Sequence, residues 1–146
     1  MATATQLFQE KYWKGLKNFM EANGSVIKIS KPLPQSWLNI TMGKGGICLA
    51  VAVNSKTSEL YVWLLLSGKH GKEYFDRLKK IAYEKSLSEV NKDLDWDRMK
   101  GRIRSAIKLT KSADYMNEAD WTNQFYWFMQ NLEKFSKFFK TLITKI

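Results

Sequence analysis

The densest run of side chains able to do chemistry lies between Arg98 and Lys111. It holds Arg98, Lys100, Arg102, Arg104, Lys108 and Lys111, with no acid between the two ends. Side chains two or four apart on a strand share a face. Residues 102–109 alternate Arg102, Arg104, Ala106 and Lys108 against Ile103, Ser105, Ile107 and Leu109. That alternation predicts a strand with a basic outer stripe, the arrangement that tracks phosphates. These six residues are therefore the candidate nucleic-acid contacts. The formal net charge of +10 points the same way, toward polyanion partners. A merely solvated lysine surface is the ordinary alternative.

Other chemistry is scarcer. Asp93, Asp95 and Asp97 are carboxylates of the type that ligate magnesium. They also fit a helix exit leading into a hairpin, with Leu94 and Trp96 pointing inward, and that is the reading adopted; no metal is assigned. The single cysteine excludes an internal disulfide. Cys48 lies mid-strand among apolar neighbours and reads as inert core. His70, the one histidine, falls in a loop at a helix start. No nucleophile with a histidine partner can be assembled from these two. Nucleases of the PD-(D/E)xK type need an acid on one strand and an acid-x-Lys on the next. The β-rich runs offer only Glu59, and Asp97-Arg98-Met99-Lys100 has the wrong spacing. No catalytic residue and no cofactor are assigned.

The elements that must position these residues are organised around residues 37–67. Three β-rich runs, 37–43, 47–54 and 59–67, form an antiparallel meander. Ile47, Leu49, Val51 and Val53 alternate with Cys48, Ala50 and Ala52, so this strand reads as buried on both sides, with a helix close to the small face. Leu60, Val62, Leu64 and Leu66 alternate with Tyr61, Trp63 and Leu65, which places that strand inside a sheet or in a subunit interface. Trp37, Tyr61, Trp63 and Trp96 could stack bases, but most of them read as core. Gly43-Lys44-Gly45-Gly46 and Asn54 to Ser58 fit hairpin loops of about three to five residues. A strand follows the glycines, so they are not a phosphate-binding loop.

Outside the meander, residues 4–23 carry helical spacing through Phe8, Tyr12, Leu16 and Phe19. Thr3 and Gln6 form a capping box, and Asn23-Gly24 a stop. Residues 25–30 predict a short strand before Pro32 and Pro34 force an extended connection. Residues 72–91 predict a second helix and residues 117–146 a third, starting at a capping-box-like Asn117 and Asp120. Along the third, Trp121, Phe125, Phe128, Leu132, Phe135, Phe139, Leu142 and Ile146 repeat at alternating spacings of four and three. That seam reads as a long helix laid across the sheet, with a homodimer seam as the alternative. The fold class is α+β: an antiparallel sheet of about five strands, flanked by an N-terminal helix, a middle helix and a long C-terminal helix, in one domain over residues 1–146. No apolar run of about 18 residues spans a membrane, and the N-terminus lacks a signal pattern, so the chain reads as cytoplasmic.

The stretch KPLPQSWLNITMGKGGICLAVAVN, the GKEYFDRL helix, LDWDRMKGRIR and the closing FYWFMQNLEKFSKFF helix resemble the bacterial domain-of-unknown-function family 4268 over nearly the whole chain. The resemblance rests on pattern and residue order, not on a catalytic motif. It implies a module often C-terminal to PD-(D/E)xK nuclease-like domains in restriction and phage defence, working near DNA or within a defence complex. This chain begins at its own methionine with no room for a nuclease half, so it is expected to be a freestanding relative, a phage-borne counterpart or a cut-out domain. The expected function is a non-catalytic nucleic-acid (polyanion) binding module. The alternatives are a protein-interaction or dimerisation module regulating a defence complex, and a binder of a small anionic nucleotide.

Overall fold

Thr3 and Gln6 open the first helix as their types dictate. Gln6 N–H donates to Thr3 Oγ1 at 3.1 Å while Thr3 N–H donates to Gln6 Oε1 at 2.9 Å. In the computed structural model, which describes residues 1–146, this helix is α1, Ala4–Ala22. The meander follows as β1 (Trp37–Lys44), β2 (Ile47–Asn54) and β3 (Glu59–Leu66). Next come helix α2 (Gly71–Glu89), β4 (Asp95–Asp97) and β5 (Ser105–Ser112). Helix α3 (Trp121–Leu142) closes the chain between two single 3-10 turns. The sheet is antiparallel, in the order β1-β2-β3-β5-β4, so the apolar β3 lies at its centre, where its edges are paired.

One face of the sheet carries Leu38, Ile47, Leu49, Val51, Leu60, Val62, Leu64, Ile107 and Leu109. These join Tyr12, Trp13 and Leu16 of α1, Phe75 and Leu78 of α2 and Phe128 and Phe135 of α3 in one contiguous core. The seam of α3 is the centre of that layer: Phe128, Leu132, Phe135 and Phe139 are fully buried. It packs on this chain's own sheet and on α1, so it is not free to face a second copy.

Several expectations need correction. Residues 25–30 form no strand. Ser25, Ile27 and Ile29 are buried in alternation, but the segment lies against helices: Ser25 Oγ donates to Glu133 Oε2 at 2.7 Å, and Lys17 Nζ to Ser30 O at 2.8 Å. Alternation reports a surface covered on one side, whatever covers it. The fifth strand is β4 instead. Its Trp96 turns inward against Phe75, Tyr83 and Phe139. The basic strand runs over residues 105–112, later than the alternation at 102–109 suggests. The first hairpin is tighter than expected, turning through Gly45 and Gly46 with an irregular register between Thr41 and Lys44. Gly46 has φ +83°, and a Cβ there would meet Ser67 O at 2.8 Å, so only glycine fits. Asn117 and Asp120 provide no side-chain cap. The backbone is already helical at Asp120, whose carboxylate instead accepts from Asn123 Nδ2 and Gln124 Nε2, each at 3.0 Å.

Candidate functional site

The helices leave the second face of the sheet open. The small face of β2, expected to receive a helix, receives none: the groove that runs along it is lined by strand residues, Ser36 and Arg104, with no helical residue. The ladder places its side chains in rows. One row runs Trp37, Ala52, Tyr61, Thr110, and the next Asn39, Ala50, Trp63, Lys108, Asp95. Ala52 therefore lies at the bottom of a trough between Trp37 and Tyr61, and Ala50 continues it between Asn39 and Trp63. Strands lie about 4.8 Å apart, so the backbones carrying Trp37 and Tyr61 are about 9.5 Å apart across Ala52. The trough has a volume of about 430 Å³. Trp37 is 47% exposed, whereas Ala50 and Ala52 are almost fully shielded by their neighbours.

Tyr61 and Trp63 pack at 5.4 Å between ring centroids, and Tyr61 Oη donates to Glu59 Oε1 at 2.8 Å. Burial pushes the Tyr61 phenol up, and its bond to Thr57 opposes that. Trp63 Nε1 is the one buried side-chain polar atom without a hydrogen-bond partner. Leaving such a donor unpaired costs about 1–3 kcal/mol. Cys48 lies on this face between Thr41 and Leu65. Burial pushes its thiol up, which disfavours the reactive thiolate.

The six basic residues do not form one stripe. Arg98 donates to Asp76 of α2 through Nε at 3.0 Å and Nη2 at 3.2 Å, and this bond holds the Asp76 carboxyl below its ordinary range. Lys108 does face the open side, but its Nζ donates to Asp97 at 2.8 Å and lies 3.7 Å from Asp95. Lys108 and the Met99 N–H lower the Asp97 carboxyl. Lys111 pairs with Leu60 on the core side of β5, and its charge helps hold Asp120 low, after the Asn123 and Gln124 bonds. Lys100 and Arg102 are exposed in the turn before β5. Arg104 alone lines the groove. The stretch is free of acids only in sequence: Asp76, Asp95 and Asp97 arrive from α2 and β4.

Asp95 and Asp97 flank Lys108, and no three His, Cys, Asp or Glu side chains converge to hold a metal. His70 precedes α2 without capping it, its Nδ1 3.4 Å from Glu73 Oε2. Trp37, Tyr61, Trp63 and Trp96 are able to stack bases by type, and the sequence reads most of the four as core; of these only Trp96 turns into the core. Alternation groups Tyr61 with Trp63 and Cys48 with Ala50 and Ala52, and the register of β2 and β3 joins the two groups on one face. With both faces apolar, nothing local told which one the helices would cover.

No helix is long and apolar enough to cross a membrane. No curated protein matches the sequence. A solved structure, that of the HopA1–SchA chaperone–effector complex, holds a chain similar over 83% of this chain and 92% of its own, at 12% identity. The TM-score of that match is 0.35. A family model covers residues 8–143, from α1 to the end of α3, and by that match the chain belongs to the domain-of-unknown-function family DUF4268.

Proposed function

We propose that this domain is a non-catalytic binding module that takes single-stranded nucleic acid on the open face of its sheet, in the cytoplasm and in the defence-related setting that the family resemblance implies. The observation that carries this reading is the pair of aromatic walls, Trp37 and Tyr61, on either side of Ala52. Sheet-borne aromatics bind single strands by stacking on bases, with cations nearby for the backbone. Trp63 supplies further aromatic surface. Arg104 lines the groove, and Lys100 and Arg102 are exposed on the loop leading to it. Arg98 and Lys108, paired with Asp76 and with Asp95 and Asp97, add little net attraction.

The test is fluorescence anisotropy with a labelled 15-nucleotide oligo(dT). Trp37→Ala is expected to weaken binding by about 1–3 kcal/mol, the value of one stacked base. Adding Arg102→Ala and Arg104→Ala should weaken it further and flatten the salt dependence by about two contacts' worth of slope. Unchanged affinity in the triple variant, with the fold intact by circular dichroism, sinks the reading. The same apolar face also suits a second copy of the chain. If light scattering gives twice the monomer mass and Trp37→Ala restores the monomer, the face is a homodimer interface instead. Displacement of the oligonucleotide by a mononucleotide alone would favour capture of a small anionic nucleotide.

A further inference from the structure

A second groove lies on the helical side of the molecule, between the C-terminal halves of α2 and α3. Its volume is about 530 Å³, and Lys85, Lys134, Lys137 and Lys145 line it with Phe138 and a single acid, Glu89. Lys134, Lys137 and Thr141 are spaced by three and four residues, so they share one side of α3, and Lys145 follows four residues later. None of the four lysines belongs to an ion pair; the charged pairs of this chain involve Lys11, His70, Arg77, Arg98 and Lys108. The groove thus gathers four unpaired lysines against one acid, while Arg98 and Lys108, from the stretch most basic in sequence, are neutralised by neighbours.

The chemistry of the lining selects the kind of ligand. Protein partners bind through buried apolar or aromatic anchors, yet no exposed large hydrophobic residue lies in this groove. Phe138 is partly buried in the protein's own core. What remains is a row of point charges with no arginine fork and no apolar pocket, which recognises charge density without shape or sequence. From Lys134 to Lys145 the row extends about 16 Å at the helical rise. One strand of a duplex presents about five phosphates over that axial distance.

We propose that the lysine groove between α2 and α3 is a phosphate-polyanion site, separate from the open sheet face, that binds the phosphodiester backbone of duplex nucleic acid. It deepens the nucleic-acid reading above, to which it adds a second, sequence-independent contact surface on the opposite layer of the fold.

The experiment compares the full chain with Lys134→Gln, Lys137→Gln, Lys145→Gln and with Trp37→Ala, Arg104→Ala. The probes are a labelled 20-base-pair duplex, long-chain polyphosphate as competitor, poly-glutamate as the carboxylate control, and oligo(dT), between 25 and 200 mM salt. For the duplex, the slope of log K against log salt should fall by up to about 2.7 in the lysine triple variant, at about 0.9 per phosphate contact, while the Trp37, Arg104 variant keeps most of its slope. Polyphosphate should displace the duplex, and poly-glutamate should not. An unchanged slope in the lysine variant overturns the proposal. So does absence of duplex binding at 25 mM salt, or equal competition by poly-glutamate, which would indicate an acidic protein partner. If only the lysine variant loses binding, the groove stands and the open-face reading falls; if only the Trp37, Arg104 variant does, the reverse holds. Circular dichroism of both variants separates lost binding from lost fold, and the substituted lysines are partnerless surface residues whose removal leaves the core untouched.

Discussion

Lys72 shows how much a single side chain organises. Its ammonium donates to Met99 O at 3.0 Å, Arg104 O at 2.7 Å and Ser105 Oγ at 3.1 Å, and also to Arg98 O. Ser105 Oγ in turn donates to Arg98 O at 2.8 Å. One cation from α2 thus ties both ends of the loop that carries Arg98, Lys100, Arg102 and Arg104. The loop needs the tie: Met99 sits at φ +53° and Gly101 at φ +83°, and a non-glycine residue in the left-handed region stores strain. Hydrogen bonds to charged groups contribute about 1.5–3 kcal/mol. Lys72→Met should therefore speed amide exchange across residues 99–105 by roughly tenfold or more, with smaller changes in α1 and α3. Exchange that stays at the wild-type rate would show that the loop holds itself.

At the level of elements, the approach of α1 to α3 depends on Gly15. A Cβ at that position would lie 2.9 Å from Phe125 Cζ, and Phe125 is itself nearly buried. Around the contact, Tyr12 meets Trp121 and Phe125 edge-to-face at 5.1 and 5.0 Å between ring centroids. The Tyr12 hydroxyl donates to the buried Gln124 at 2.7 Å. Burial, reinforced by the Asp120 charge, pushes the Tyr12 phenol far up, so Tyr12 stays neutral and keeps that donor. Packing here is dense on both sides, and added volume forces side chains off their rotamers. Gly15→Val is expected to destabilise the protein by about 1–3 kcal/mol in urea denaturation. A smaller change would mean that Phe125 can swing aside.

At the scale of the whole molecule, one core of 31 residues links the sheet's covered face to all three helices, which favours a single cooperative unfolding transition. Phe128→Ala should cost about 3–5 kcal/mol, and far-ultraviolet circular dichroism and tryptophan fluorescence should shift together. Separate transitions by the two probes would split the chain into independently folding parts. The sequence by itself determined the α+β class, the three helices, the meander and the positions of Trp96 and the α3 seam. Each follows from periodicity, capping or turn chemistry, which act between residues near in sequence. Only the tertiary structure decided which face of the sheet is covered, since Cys48, Ala50 and Ala52 are as compatible with a helix as with an open trough. It also decided which cations are neutralised. Charge pairing depends on distance in space: Asp76 reaches Arg98 across 22 positions of sequence, and Asp97 reaches Lys108 across 11. The lysines of α2 and α3, more than 45 positions apart, form one surface only because both helices lie on the same side of the sheet.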